Sequence, residues 1–121
     1  MVWDCGIPGV AGTPWEGGTY RMQLKFCDQY PSKPPAVFFT PVLFHMNLYP
    51  SGRVCLDIVN EGENWQPGIT MRQILVGCQS LLDNPNPGSP AQSAPYELHK
   101  KNKVAYRARC VQEAKKHATD A

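Results

Sequence analysis

A short segment of the chain, residues 44–58, has side chains whose types and spacing suit acyl transfer. It reads FHMNLYPSGRVCLDI, so polar residues precede a glycine turn, a lone cysteine (Cys55) and a short apolar patch. An acyl carrier needs a nucleophile that is also a good leaving group, and a thiol is both. An ordinary thiol is a few per cent thiolate at pH 7, which suffices when the partner is already held in place. Cys55 is therefore the candidate nucleophile, although a lone cysteine is more often a small buried hydrophobe.

The other four cysteines, Cys5, Cys27, Cys78 and Cys110, give no sign of a metal or redox site. No pair has the C-x-x-C spacing of zinc ligands or redox dithiols. Cys5 and Cys78 fall on the predicted core faces of a strand and a helix, the ordinary place for an inert thiol. The odd total leaves at least one thiol unpaired, and we expect all five to be free in a reducing compartment.

Length and charge limit the classes of function. A chain of 121 residues fits one domain, which we expect to span residues 1–121. The 12 basic and 10 acidic residues give a formal charge of +2, too small to indicate a nucleic-acid-binding protein. No stretch offers the roughly 18 apolar residues of a membrane span, and no secretory signal follows Met1. We therefore expect neither a membrane nor a nucleic acid as a partner.

Three strands must position the cysteine segment. Residues 19–26 alternate apolar and polar side chains with the period of two of a half-buried strand, and residues 2–7 alternate in the same way. Residues 36–39 are predicted to form a third strand, entered through prolines that exclude a helix. The connection after residue 7 is too short to hold a crossover helix, so the sheet is predicted to be an antiparallel meander. Residues 41–67 show no periodicity.

Helices are predicted to follow the strands. Thr70 and Gln73 have the spacing of a capping box, and the apolar residues after them predict a core helix that ends at Asn84. A Pro-rich loop then leads to a basic C-terminal helix whose narrow apolar stripe we expect to face the core. The stripe consists of Val104, Ala108, Val111 and Ala118. Strands followed by helices predict an α+β fold.

These motifs together resemble those of the ubiquitin-conjugating enzyme family. The likeness rests on the Pro-rich residues 30–35, on the cysteine segment, on the Trp-Gln-Pro sequence that begins at Trp65 and on the helix that follows, and it covers nearly the whole chain. It implies the α+β fold of that family, a transferase activity and no metal or organic cofactor. It also implies that Cys55 accepts the C-terminal glycine of a modifier protein as a thioester from an activating enzyme and passes it to a substrate lysine.

Within the family the sequence is most similar to the SUMO-conjugating branch. This likeness rests on GTPWEGG at residues 12–18, LFH at 43–45, YPSG at 49–52 and DNPN at 83–86. It also rests on the nine residues that separate Cys55 from Trp65. It implies four kinds of partner: SUMO or a related modifier, its activating enzyme, SUMO ligases and lysine-bearing substrates. It also implies a nuclear and cytoplasmic location. The alternatives are a ubiquitin carrier and a non-catalytic interaction module that keeps the fold.

The resemblance also assigns roles to four residues around the cysteine. Asn47 matches a family asparagine whose amide donors either stabilise the oxyanion formed when lysine attacks or brace the neighbouring loop; the alternative is an ordinary turn residue. Tyr49 and Ser89 match positions that surround the incoming lysine, with a packed loop aromatic as the alternative for Tyr49. His45 is expected to be structural, with its ring nitrogens bonded to nearby backbone.

Three departures from the family pattern bear on activity. Ser89 stands where the family has an aspartate, and a serine cannot accept a proton from an amine at neutral pH. Met46 stands where the family has a proline. The family fold also opens with an amphipathic helix and a first strand, and nothing before Val2 could form either. We therefore expect a carrier that lacks part of the surface on which its activating enzyme docks.

Overall fold

The computed structural model describes residues 1–60 and 64–118 as a three-stranded sheet followed by helices. The strand order is β1-β2-β3 and both pairings are antiparallel, which confirms the predicted meander and the α+β class. The elements are strands β1 (Val2–Pro8), β2 (Thr19–Lys25) and β3 (Ala36–Phe39), a 3-10 turn (Asp57–Val59), and helices α1 (Met71–Asp83), α2 (Ser93–Lys101) and α3 (Lys103–Lys116). Within the described residues, no helix has the length and apolar character needed to cross a bilayer.

The central strand β2 contributes more buried side chains to the core than either of its neighbours. Tyr20, Met22 and Leu24 are all buried on one face, while Arg21 and Lys25 are exposed on the other. Full burial of one such apolar side chain is worth roughly 1.5–3 kcal/mol. The predicted period of two is therefore confirmed.

The first strand contributes less to the core than predicted. Ile7 is buried, but Trp3 is 46% exposed and packs edge-on against Phe26, with ring centroids 5.6 Å apart. Cys5 is half-buried and packs against the edge of the core. Cys5 therefore faces the core as predicted but is only partly covered, because only the C-terminal end of β1 lies over the packed interior.

Helix α1 begins with the predicted capping box. The Thr70 hydroxyl accepts from the Gln73 N–H at 3.1 Å, and the Gln73 side-chain oxygen accepts from the Thr70 N–H at 2.7 Å. An N-cap of this kind typically stabilises a protein by about 1 kcal/mol. The helix buries one face against the core, and burial raises the pKa of Cys78 to about 12, as suits an inert core thiol. The buried residues are Ile74, Cys78, Leu81 and Leu82.

The C-terminal segment forms two helices where the sequence predicts one. At Asn102 the backbone leaves the helical region, with φ −155° and ψ 95°, and α2 ends. The Asn102 side chain then caps α3 by accepting from the Ala105 N–H at 3.0 Å. An asparagine that can cap a new helix therefore breaks the continuous helix predicted here.

The apolar stripe predicted for this segment is wrong. All its members are exposed, and the buried face of α3 is offset from it. The exposed residues are Val104, Ala108, Val111 and Ala118, and the buried ones are Tyr106, Cys110, Glu113 and Ala114. Glu113 interrupts the apolar pattern of the buried face, so the sequence alone does not identify that face. The Glu113 carboxylate accepts from the Phe44 N–H at 2.8 Å and pairs with Arg109 at 3.0 Å. Burial raises the pKa of Glu113, but these partners lower it more, so the group is held below its ordinary pKa.

The segment between residues 41 and 67 is less irregular than predicted. Isolated bridges pair Leu48 with Val54 and Phe38 with Arg53, and the 3-10 turn follows directly. These backbone contacts attach the cysteine segment to β3. Residues 61–63 belong to the nine residues between Cys55 and Trp65, and they lie outside the described residues.

Candidate active site

A tight turn directs the chain toward Cys55. The Gly52 N–H donates to the Tyr49 carbonyl at 2.8 Å, and the Tyr49 N–H donates to the Arg53 carbonyl at 2.9 Å. Gly52 has φ +91°, a conformation that side chains other than glycine rarely adopt. A Cβ atom at this position would also overlap the carbonyl oxygen of Phe39. The turn therefore requires glycine three residues before the candidate nucleophile.

Cys55 is a free, half-buried thiol beside an open cavity of about 220 Å³. Its backbone N–H donates to the Asn47 carbonyl at 2.8 Å, which fixes the strand-like segment that carries it. Residues from three separate parts of the chain meet at this cavity. They are Cys55, Leu56, Asp57, Asn60, Leu81, Asn86 and Ser89. The structure therefore brings Cys55 and Ser89 together, as the resemblance implies.

Asn47 is completely buried, and its carboxamide is fully used. Nδ2 donates to the carbonyl oxygens of Asn86 at 2.8 Å and Ser89 at 3.0 Å, while Oδ1 accepts from the Asn86 N–H at 2.7 Å. Both side-chain N–H groups thus point at the loop that forms one wall of the Cys55 cavity. In this arrangement the side chain braces the loop, and no amide donor is left over for an oxyanion.

His45 lies beneath this segment and is completely buried. Its Nδ1 accepts from the Asn47 N–H at 3.0 Å, so the proton of the neutral ring resides on Nε2, which donates to the Leu81 carbonyl at 2.8 Å. Burial lowers the pKa of His45 to about 4, against smaller opposing contributions from backbone carbonyl groups of α1. The ring is neutral at physiological pH and connects Asn47 to the end of α1.

Gln92 also holds this segment, although no sequence motif pointed to it. Its Nε2 lies within hydrogen-bond distance of three carbonyl oxygens, those of Leu43 (3.1 Å), His45 (3.2 Å) and Leu48 (3.2 Å). The buried Met46 adds its carbonyl, which accepts from the Gln92 N–H at 3.2 Å. The only local signal in the sequence is that Gln92 is a polar residue just before a predicted helix.

Tyr49 does not share the cavity of Cys55. Its side chain is 46% exposed, so it is not a packed loop aromatic. It lines an adjacent open groove of about 400 Å³ together with Arg53 and Asn60. Because Asn60 borders both spaces, the groove lies next to the cavity, where a bound peptide could reach both.

Asp57 is a cavity residue that the sequence analysis missed. Its carboxylate accepts from the Asn64 side-chain amide at 3.0 Å, and the residue lines the cavity with Cys55 and Ser89. The available signal was its position two residues after the candidate nucleophile, Cys55. Ser89 is exposed, and its carbonyl is the part of the residue that Asn47 binds. Among the described residues, Asp57 is therefore the carboxylate that lines this cavity in a chain that has serine at position 89.

Comparison with known proteins identifies the family of the chain. Residues 1–114 match the family described as ubiquitin-conjugating enzyme. The chain is 51% identical over 117 residues to the SUMO-conjugating enzyme SCE1 of Arabidopsis thaliana, covering 97% of this chain and 73% of that protein. It is 53% identical over 105 residues to the Sumo-conjugating enzyme ubc9 of Dictyostelium discoideum, covering 87% and 66%.

A third relative gives the same result at lower identity. The chain is 46% identical over 118 residues to the SUMO-conjugating enzyme UBC9 of Caenorhabditis elegans, covering 98% of this chain and 71% of that protein. The chain thus spans about two thirds to three quarters of the length of these relatives. With the family match over residues 1–114 and this level of identity, the chain belongs to the ubiquitin-conjugating enzyme family.

Proposed function

We propose that the chain is a SUMO-conjugating enzyme that carries the modifier on Cys55. The observation that carries this proposal is the position of Cys55, a free thiol at an open cavity whose wall is braced by Asn47. The three relatives described above are all SUMO-conjugating enzymes by name, which supports SUMO as the modifier.

The reaction proceeds in two acyl transfers. The Cys55 thiolate attacks the thioester on the activating enzyme, forms a new thioester bond and releases the activating enzyme's thiolate. A lysine amine then attacks the carbonyl carbon, the Cys55 thiolate leaves, and the ammonium proton is lost to solvent. An isopeptide bond is the product, and no redox partner is needed. Thioester exchange is nearly balanced in energy, so positioning the partners is the main requirement.

The second step requires a neutral lysine amine. An ordinary lysine has a pKa near ~10.4, so fewer than about one in a thousand is neutral at pH 7. We propose that Asp57 binds and orients the incoming ammonium by a charge-assisted hydrogen bond. The Asp57 charge by itself favours the ammonium form, so loss of the proton depends on partial desolvation in the cavity, which favours the neutral amine. Ser89 supplies a hydroxyl beside the same amine, and Tyr49 contacts the substrate chain in the adjacent groove.

Asn47 acts in this proposal as a positioning residue. Its three side-chain hydrogen bonds hold residues 86–89 over the cavity, and His45 and Gln92 hold the segment that carries it. The proposal also includes SUMO ligases as partners, a nuclear and cytoplasmic location, and no membrane association.

A charging assay tests the proposal. Purified chain is incubated with ATP and either SUMO with its activating enzyme or ubiquitin with its own, and the products are separated without reductant. We expect a reducible SUMO adduct that Cys55→Ser abolishes or converts into a reductant-resistant ester. Cys27→Ser, which removes an exposed free thiol elsewhere, is the matched control and should charge normally.

Each other outcome of this assay identifies an alternative. A reducible adduct with ubiquitin and none with SUMO would identify a ubiquitin carrier. No adduct with either modifier, from protein with an intact thermal transition, would favour the non-catalytic module.

A further inference from the structure

Strand β1 lies at one edge of the sheet, so one side of its backbone has no neighbouring strand among the described residues. Just beyond β1 the Gly9 N–H donates to the Gly18 carbonyl at 2.9 Å, and the bond at the other end also joins an odd-numbered residue to β2. In an antiparallel pair, residues that bond to the partner alternate with residues whose backbone groups point the other way. The even-numbered residues therefore point their N–H and carbonyl groups away from the sheet, and these include Val2, Asp4 and Gly6.

The outward N–H and carbonyl groups of Val2, Asp4 and Gly6, here called the free edge, form no hydrogen bond with any described residue. Pro8 closes the end of this row, because it has no N–H and its carbonyl accepts from the Gln79 side chain at 2.8 Å. A row of unpaired N–H and carbonyl groups is a template for a further strand. The chemistry of the free edge therefore specifies a β-strand as its occupant.

Apolar side chains cluster at the N-terminal end of the free edge. Met1, Val2 and Trp3 are consecutive in the chain, and they are 75%, 50% and 46% exposed. Contiguous exposed apolar surface commonly marks a site of association between proteins. A strand added at the free edge would cover part of this surface as well as pair the backbone groups.

Two opposite charges beside the free edge have unused bonding capacity. Arg21 is exposed, lies opposite Gly6 on β2 and forms no ion pair with the described residues. One Asp4 carboxylate oxygen accepts from the Gln23 side chain at 3.1 Å, and the other forms no hydrogen bond with the described residues. Asp4, Gly6 and Arg21 also line one open hollow of about 550 Å³. Because glycine has no side chain, Arg21 can extend over Gly6 toward the free edge.

We propose that two copies of this chain pair through β1, antiparallel, about a two-fold axis at Cys5. This register places Asp4 opposite Gly6 of the second copy, so the two residues exchange both backbone hydrogen bonds. Asp4 then faces Arg21 of the second copy across that glycine, and the symmetry repeats each contact. The two sheets become one continuous sheet. The proposal is independent of the proposed function, because no residue of β1 lines the cavity of Cys55.

Other two-fold registers lack this complementarity. An axis at Asp4 sets two carboxylates directly opposite each other, and like charges in that position are destabilising. An axis at Trp3 leaves Gly6 without a partner and puts the Val2 side chain between Asp4 and the nearest cation, Lys25 of the second copy. The charges and the glycine therefore favour the axis at Cys5.

Sedimentation velocity of the reduced 121-residue chain tests the association. We expect a reversible dimer with a dissociation constant on the order of 10–100 µM, as suits a small interface. Gly6→Glu places a carboxylate opposite Asp4 of the second copy and should weaken the dimer at least about tenfold. Its Cβ would meet Thr19 at 3.5 Å and the Tyr20 carbonyl at 3.7 Å, ordinary contacts that keep the fold. Gly68→Glu, at an exposed glycine outside the sheet, should dimerise like the parent.

A charge exchange tests the ion pair itself. Asp4→Arg and Arg21→Asp each bring like charges together across Gly6, so each should weaken the dimer at least about tenfold. The double variant restores opposite charges, and its dissociation constant should return to within about threefold of the parent. A general effect of charge or of stability would not produce this rescue.

The two Cys5 thiols report the register. In the proposed dimer they form a non-hydrogen-bonded pair with Cα atoms about 4.5 Å apart, within the range that a disulfide spans. Copper(II)–phenanthroline should therefore cross-link the dimer through Cys5, as two thiols give two electrons to the oxidant and two protons to solvent. Cys27→Ser should cross-link like the parent, and Cys5→Ser should still dimerise without cross-linking.

Three results would overturn the proposal. The first is a chain that sediments as a monomer up to about 1 mM, well above the affinity expected of even a weak interface. The second is a dimer that Gly6→Glu leaves unchanged or that the charge exchange does not restore. The third is a dimer that cross-links through Cys27 and not through Cys5.

Discussion

At the scale of single residues, Asn47 shows how a buried amide can act through its neighbours. All three of its side-chain hydrogen bonds go to the loop at residues 86–89, and its backbone holds both His45 and Cys55. The Asn47 side chain therefore holds the wall of the cavity in place before any substrate binds. Its effect on catalysis is therefore tied to an effect on stability.

Asn47→Ala tests this link. The change leaves the Asn86 N–H and two carbonyl oxygens without their partner, so we expect a loss of about 2–3 kcal/mol in the free energy of unfolding, measured with urea. Asn84→Ala removes an exposed side-chain amide at the C-cap of α1, which donates to the Ser80 carbonyl of the same helix. This change should lower the free energy of unfolding by less than about 1 kcal/mol. Full stability of Asn47→Ala with slow transfer to lysine would instead support a role at the oxyanion alone.

Asp57 is expected to affect only the second acyl transfer. Asp57→Asn keeps an oxygen that can accept from Asn64 but loses the charge that binds the lysine ammonium. We expect normal charging of Cys55, with discharge of the preformed thioester to free lysine slower by about tenfold or more. Asp28→Asn, at an exposed aspartate that does not line the cavity, should leave discharge unchanged. Equal discharge rates for the two variants would remove Asp57 from the mechanism.

His45 makes stability depend on pH. Its pKa is about 4 in the folded chain and near ~6.5 when unfolded, so the unfolded state binds more protons between these values. Stability from this group is complete above pH 6.5 and is lost as pH falls, by about 2 kcal/mol between pH 7 and pH 5.

Chemical unfolding at both pH values measures this loss. His45→Gln should flatten the pH dependence in this window, whereas His99→Gln should keep it because His45 is still present. A parent protein equally stable at pH 7 and pH 5 would contradict the assignment of a neutral, buried ring.

At the scale of elements, the turn that ends at Gly52 is the strictest requirement near the site. Gly52→Ala combines an unfavourable positive φ with a clash against the Phe39 carbonyl, so we expect a loss of about 2–3 kcal/mol and displaced Cys55 resonances. Gly68→Ala is the matched control, because a Cβ there meets no atom within 4 Å. A thermal melt compares the two variants. A Gly52→Ala protein as stable as Gly68→Ala would show that the turn adapts.

The elements that could be predicted from sequence are those with local signals. The alternation in β2 and the capping box of Thr70 and Gln73 depend on neighbours a few residues away, and both are confirmed. The face of α3 could not be read in this way. Its buried Glu113 is stabilised by the Phe44 N–H, 69 residues distant in the sequence, so the apolar pattern pointed to the wrong side.

At the scale of the whole molecule, the candidate site is assembled from segments that are far apart in the chain. Cys55 and Asn47 were predictable because they lie in one recognisable motif. Gln92 was not, because its role depends on three carbonyl groups more than 40 residues earlier. The packed core and α1 bring these segments together, so the fold itself creates the cavity beside Cys55.

One residue, Cys55, is expected to carry the modifier, and mass spectrometry of the charged protein tests this most directly. The chain is incubated with SUMO, its activating enzyme and ATP, with a SUMO-conjugating relative charged in parallel, and the adduct is mapped by peptide analysis. We predict one SUMO per chain, released by a thiol reductant and attached through Cys55. An adduct on Cys27 or another cysteine, a bond that resists the reductant, or no adduct while the relative is charged would contradict the account.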